Sequence, residues 1–187
     1  MHFSKQFMFT VWLCCASGIM ALWGFSDFRP GKSASAPRLI EVIDRDPSAA
    51  EVTRPKVMMF VHPACPCTRS SLEQLVTVLR ERPATAEVIF VGKPRDVHEH
   101  IAGSLLQSGR IRFVSDESGE LAHRYSAATS GQCIVYDRDG KLTFSGGITA
   151  GKGHVGPSEA LVAFCNALDG RCNDQPYAVY GCPLFAQ

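Results

Sequence analysis

The sequence carries almost no excess charge: 19 Lys and Arg against 18 Asp and Glu leave a formal net charge of +1 over 187 residues. Without a basic block or an RNA-binding signature, the chain has no electrostatic footprint for nucleic acid, and no such partner is expected. It also lacks a Cys-x-x-Cys-His haem motif, a dinucleotide-binding strand-loop-helix fingerprint and any internal repeat. No bound organic cofactor is therefore expected, and a repeat architecture is excluded. The Gly-rich stretch Gly146 to His154 does not have the strand-loop-helix spacing of a phosphate cradle. Cys-x-x-Cys is missing too, and in its place stands the shorter Cys65-Pro66-Cys67. What the chain does have is a 45% hydrophobic content, enough for the core of one domain, and eight cysteines.

The run Phe7 to Phe25 is apolar and uncharged, long enough to cross a bilayer of about 30 Å at about 1.5 Å per residue. It reads as a membrane helix or a signal sequence. Leu13 precedes Cys14, where a lipoprotein signal needs a small residue, and the Ala34-Ser35-Ala36 site lies far from the apolar core and is followed by Pro37. Residues 1–28 are therefore expected to be an uncleaved signal anchor. Lys5 lies on one side of the run and Arg29 and Lys32 on the other, so charge alone leaves its orientation open. Residues 29–56, rich in Ser, Ala, Pro and charge, read as a tether with a possible edge strand at Leu39 to Ile43. Six cysteines follow the tether, a density that fits an oxidising compartment, so the domain is expected to face the periplasm or cell exterior from a single-pass anchor.

From Val57 the hydrophobic pattern alternates between two periods. Val57 to Val61 reads as a strand, and Leu72, Leu75, Val76 and Leu79 mark a helix over Ser70 to Arg82. Ser70-x-x-Glu73 has the spacing of a capping box, which would make Ser70 the N-cap. A strand Glu87 to Val91, a helix near Val97 to Gln107 and a strand Ile111 to Ser115 complete a βαβαβ unit with parallel neighbours. After a short helix around Glu120 to Tyr125, strands Gln132 to Tyr136 and Leu142 to Ser145 flank the turn Asp137-Arg138-Asp139-Gly140. A last helix, Ser158 to Leu168, places Leu161, Val162, Phe164, Cys165 and Leu168 on its apolar face and stops at Gly170.

A βαβ unit with cysteines at its first strand-to-helix turn, followed by a hairpin and a closing helix, resembles the thioredoxin fold. The expected architecture is thus a three-layer α/β fold with a mixed central sheet over residues 57–169, and a Cys-containing tail at 170–187. No proline stands in Ala128-Thr129-Ser130-Gly131-Gln132-Cys133, where thioredoxins carry a cis-proline before the fourth strand. His62-Pro63-x-Cys65-Pro66-Cys67-Thr68-Arg69-x-Ser71, Thr129-Ser130-Gly131-Gln132, Ser145-Gly146-Gly147-Ile148-Thr149 with Gly153-His154-x-Gly156, and Gly181-Cys182-Pro183-Leu184 together resemble the membrane-anchored RedB-like thioredoxin-fold family. Members usually have Asp-Asn shortly after Gly-His-x-Gly, where this chain has Pro157-Ser158. The resemblance implies fold, export and redox chemistry, with protein thiols or disulfides as partners.

On this reading Cys65 is the attacking thiolate, the more exposed of the pair in the parent fold, and Cys67 resolves the mixed disulfide. Nearness to a helix N-terminus and to Arg69 or His62 would lower a thiol pKa, although a Ser70 N-cap would leave Cys67 three residues short of the helix. Pro66 fixes φ and restricts how the two sulfurs approach. Gln132 is expected beside Cys65 and Cys67 in place of the missing proline, offering an amide that donates and accepts. His154 reads as a proton shuttle, a metal ligand or an exposed loop residue. Cys133 reads as a third redox thiol or a small core residue, and Cys165 as helix-face core. Cys182 either bridges Cys172 and staples the tail or, as the resemblance implies, folds back as a resolving or metal-binding thiol. The competing function is Cu(I) handling by Cys65 and Cys67 with His154, Cys182 or Met58. A peroxidase, or a non-enzymatic interaction domain on this fold, is a further possibility.

Overall fold

A computed structural model describes residues 5–27, 29–31, 36–38, 54–93, 103, 107–172 and 175–185. The elements run α1 (Lys5–Asp27), β1 (Lys56–Val61), α2 (Thr68–Glu81), β2 (Thr85–Val91), β3 (Ile111–Asp116), α3 (Glu120–Arg124), β4 (Gln132–Tyr136), β5 (Leu142–Gly146) and α4 (Glu159–Leu168). The helix expected near Val97 to Gln107 and the edge strand expected at Leu39 to Ile43 lie outside the described residues, apart from Gly103 and Gln107.

The sheet order is β3-β2-β1-β4-β5. β1 pairs in parallel with β2, and β2 with β3, while β4 is antiparallel to both β1 and β5. This is the mixed sheet of a thioredoxin-like fold, as expected, and it leaves β1 at the centre. That position explains the uninterrupted apolar run of β1, because a central strand covered on both faces has no solvent side to give to polar residues. Val57, Met59 and Val61 pack with Leu72, Leu75 and Leu79 of α2 and with Phe164 of α4. Met58 and Phe60 point the other way and pack with Ala122 and Tyr125 around α3. The period-2 alternation of β1 therefore feeds two cores rather than one core and solvent.

The last helix packs on the core through four of the five apolar residues expected, Leu161, Phe164, Cys165 and Leu168, with Ala163 and Ala167 added and Val162 left out. Ala163, Phe164, Ala167 and Leu168 are its buried residues, whereas Val162 is 59% exposed. The small alanines let the helix approach β5 closely, and Phe164 meets Phe144 edge-on at 5.4 Å between ring centres. Cys165 packs against the edge of this core, half-buried. Ser158 caps the helix by accepting from Leu161 N–H at 3.0 Å.

The tether is not free of the domain. Gly31 N–H donates to Val179 O at 2.7 Å, Ala36 is buried among the second core, and Pro37 O accepts from the Tyr136 hydroxyl at 2.9 Å. These apolar and hydrogen-bonded contacts dock parts of the 29–56 segment onto the sheet, where composition alone suggested a spacer. α1 has one stretch, Lys5–Leu22, long and apolar enough to cross a membrane, a property that a signal sequence shares.

Candidate functional site

β1 ends at Val61, and the chain turns twice before entering α2. Cys65 N–H donates to His62 O at 3.0 Å, and Thr68 N–H donates to Cys65 O at 3.1 Å. Pro66 sits at the second position of that latter turn, where its fixed φ suits the backbone and its missing N–H is not required. Helix α2 starts at Thr68, with Cys67 as its N-cap. The capping box is not formed: the Ser70 hydroxyl donates to Gly153 O at 3.1 Å, and Glu73 pairs with Arg69 at 2.8 Å. Cys67 is therefore at the helix N-terminus rather than three residues ahead of it, within reach of the partial positive charge there.

Exposure is the reverse of the expectation for the thiol pair. Cys65 is 4% exposed and Cys67 is half-buried. The cover over Cys65 comes from the C-terminal tail. Ser130 N–H donates to Cys182 O at 2.8 Å, Leu184 N–H donates to Ala128 O at 2.9 Å, and Thr129 and Pro183 form an antiparallel bridge. This short strand-like pairing brings the Cys182 thiol into hydrogen bonding with Cys65. Cys172 lies elsewhere, its Sγ 3.8 Å from Leu142 O. Of the two sequence readings of Cys182, the fold-back is the one the structure adopts.

Burial is the largest influence on Cys65 and by itself pushes the thiol up. Hydrogen bonds from the Cys182 thiol, the Cys182 and Cys67 backbone N–H groups and the Ser130 hydroxyl outweigh it and hold Cys65 below the ordinary thiol range. Cys67 is raised, first by burial and then by the neighbouring Cys65, against the pull of Gly153 N–H and Lys152. Cys182 is pushed up to about 11 by burial, by its hydrogen bond to Cys65 and by the charges of Cys65 and Cys67. One of the three sulfurs is thus prepared to carry charge, and its two neighbours donate to it.

The entrance to β4 faces the thiols, but through Ser130 rather than Gln132. Ser130 Oγ accepts from His62 N–H at 2.9 Å and lies 3.2 Å from Thr68 Oγ1, which itself donates to His62 O at 2.9 Å. Ser130 is thereby held to offer its proton to Cys65. Gln132 pairs with Phe60 across the β1–β4 ladder, on the sheet face opposite to Cys133 and α2, and its Oε1 accepts from Ala128 N–H at 3.3 Å. Strand parity is the reason: a residue in β4 directly opposite Phe60 must share the face of Phe60. The Gln132 amide nitrogen is buried with no hydrogen-bond partner.

The other candidates separate in the same way. His62 is in the site through its backbone, with Nδ1 accepting from Ala64 N–H at 3.1 Å. Arg69 points along the helix to Glu73, and the cation that acts on Cys67 and Cys182 is Lys152, which the sequence reading missed. Its loop was noted for His154, which is exposed. Cys133 is fully buried in the apolar core, and burial pushes its thiol up, so it is a core residue rather than a third redox thiol. Met58 is also buried, in the core on the α3 side. Among the described residues no group of three His, Cys, Asp or Glu side chains is arranged to hold a metal ion.

No protein-family model and no curated protein matches this chain. Among solved structures, an uncharacterized conserved protein from Geobacillus kaustophilus is 24% identical at a TM-score of 0.56, covering 86% of this chain and 93% of that one. A hypothetical protein from Sinorhizobium meliloti 1021 is 18% identical at a TM-score of 0.55, covering 84% and 94%. A secreted disulfide oxidoreductase of Mycobacterium tuberculosis is 19% identical at a TM-score of 0.44, covering 62% and 81%. The first two show a likeness of fold.

Proposed function

We propose that this protein is a membrane-tethered, extracytoplasmic thiol-disulfide oxidoreductase of the RedB-like kind, working on protein thiols or disulfides through its Cys-Pro-Cys pair. The observation that carries the reading is Cys65: buried, yet held below the ordinary thiol range by converging hydrogen-bond donors. A structural core thiol such as Cys133 shows the opposite. The Cys65 thiolate attacks one sulfur of a partner disulfide, forming a mixed disulfide and releasing the other sulfur as a thiolate. Bonding neutralises Cys65. The Cys65 charge that added to burial in raising Cys67 is then gone, while Gly153 N–H and Lys152 remain to favour its thiolate. Cys67 attacks the Cys65 sulfur, closes the Cys65–Cys67 disulfide and releases the reduced partner. The reverse sequence would oxidise a dithiol, with direction set by compartment and partner.

In this reading residues 1–28 anchor the chain, 29–56 connect it to the 57–169 domain, and 170–187 form the Cys-containing tail, in which Cys182 and Pro183 lie over the site. The test is a glutathione redox titration of the full chain in detergent, quenched with acid and mapped by mass spectrometry, with metal analysis of the same sample. Exchange at Cys65 with a bridge to a neighbouring thiol is expected. Thiols at 65 and 67 that stay unreactive across the titration would overturn the reading. For topology, a reporter active only outside the cytoplasm should work when fused after Asp169, and the protein should stay with membranes; a soluble mature chain beginning near Pro37 would refute the anchor.

A further inference from the structure

We propose that Cys182 is a third redox thiol, which forms a disulfide with Cys65 and so resolves mixed disulfides there in parallel with Cys67. The inference rests on the reading of Cys65 as the attacking thiolate. Its ground is the position of the tail. Thr129 to Gly131 is the segment beside the thiols, and its backbone edge is already occupied by a stretch of this same chain carrying a cysteine. Cys182 O accepts from Ser130 N–H at 2.8 Å, and the Cys182 thiol and N–H both donate to Cys65. The tail thus takes up the pose in which an extended partner peptide would offer its own cysteine.

That pose is built into the sequence on both sides of Cys182. Gly181 lies so close to Ser130 that an added Cβ would sit 1.9 Å from the Ser130 carbonyl oxygen, so only glycine permits the approach. Beyond it, Leu184 is buried in the second core, and Phe185 stacks on His123 at 4.0 Å between ring centres. A thiol clamped from both flanks has a high local concentration at Cys65. The charges follow the same order as for Cys67. Cys182 is held as a thiol by burial and, while Cys65 is ionised, by its hydrogen bond to Cys65 and the charge there; the part due to Cys65 disappears once Cys65 is bonded to a partner.

With oxidised glutathione as the probe, the steps balance. Cys65 thiolate attacks one sulfur, forming Cys65–S–S–glutathione and releasing glutathione thiolate. Cys182 then loses its proton to solvent and attacks the Cys65 sulfur, forming Cys65–S–S–Cys182 and releasing the second glutathione thiolate. One disulfide is reduced by two electrons, and the two protein thiols are oxidised.

The experiment uses the full chain in detergent, treated with oxidised glutathione and trapped over time, with bridged and glutathionylated peptides identified by mass spectrometry. In C67S, a peptide pair joining Cys65 and Cys182 is expected, with only transient glutathione on Cys65. In C67S/C182S the Cys65–glutathione adduct should persist about tenfold longer or more, because its remaining intramolecular nucleophile is gone. A Cys65–glutathione adduct that persists equally in both variants would overturn the role of Cys182 while leaving the oxidoreductase reading intact. No adduct at Cys65 in either variant, with the fold intact by circular dichroism, would overturn the oxidoreductase reading and this inference with it.

Discussion

Replacing Gly181 by alanine tests how firmly the tail is seated over Cys65. The new Cβ would lie 1.9 Å from the Ser130 carbonyl oxygen and 2.9 Å from its carbon. Both are backbone atoms at the entrance to β4, which the sheet holds in place. The strand cannot give way, so the tail must. Lifting it exposes Leu184, which is 5% exposed in place, at about 1.5–3 kcal/mol for a fully buried leucine. It also breaks the Ser130–Cys182 and Leu184–Ala128 backbone hydrogen bonds, at about 0.5–1.5 kcal/mol each. The loss is therefore at most about 2.5–6 kcal/mol, reduced by the backbone entropy the freed residues regain. Urea unfolding of G181A should show a lower midpoint within that bound. At the same time Cys65, no longer covered, should be labelled by iodoacetamide faster than in the unaltered protein at a pH high enough to ionise it in both. Unchanged stability together with unchanged labelling of Cys65 would refute the close approach of Gly181 and the seating of the tail built on it.

Ser130→Ala removes a hydrogen bond that holds Cys65 down, so the midpoint of Cys65 alkylation against pH should move upward. At neutral pH the thiolate fraction then falls and the reaction slows; a midpoint that stays put would mean that the Ser130 proton is directed elsewhere. Cys133→Ser places a hydroxyl in a fully buried position of the apolar core, where the Gly131 carbonyl that Sγ faces at 3.7 Å is too distant for the shorter hydroxyl. It should destabilise the domain by about 1–3 kcal/mol in urea unfolding, with Cys65 reactivity unchanged. In the unaltered protein Cys133 should resist alkylation until the domain unfolds, and ready native-state labelling would contradict its burial.

Local pattern was sufficient wherever one element's own residues decide its state. The apolar alternation of β1, the i, i+3, i+4 spacing of Leu72, Leu75 and Val76, and the turn at Asp137 to Gly140 each specify conformation through neighbours a few residues away, and the βαβαβ order then permits few sheet topologies. The same local pattern misled where a competing partner came from afar. Ser70 and Glu73 have capping-box spacing, but Ser70 finds the Gly153 carbonyl and Glu73 finds Arg69. Val162 belongs to the apolar stripe of α4 by residue type, yet the approach to β5 is set by Ala163 and Ala167.

The sequence by itself determined that a strand, a thiol pair and a helix come in succession, because those are fixed by hydrophobic period and by proline and cysteine spacing. Only the tertiary structure decided which groups surround the thiols. Strand parity in the β1–β4 ladder sends Gln132 to the far face and leaves Ser130 at the site. Loop closure brings Lys152 near Cys67. Pairing of the tail with Thr129 and Ser130 delivers Cys182 to Cys65 and buries the sulfur that local reasoning expected to be exposed. These contacts join segments far apart in the chain, so their energies depend on sheet register and on the exclusion of water between packed surfaces, neither of which is written in the spacing of neighbouring residues.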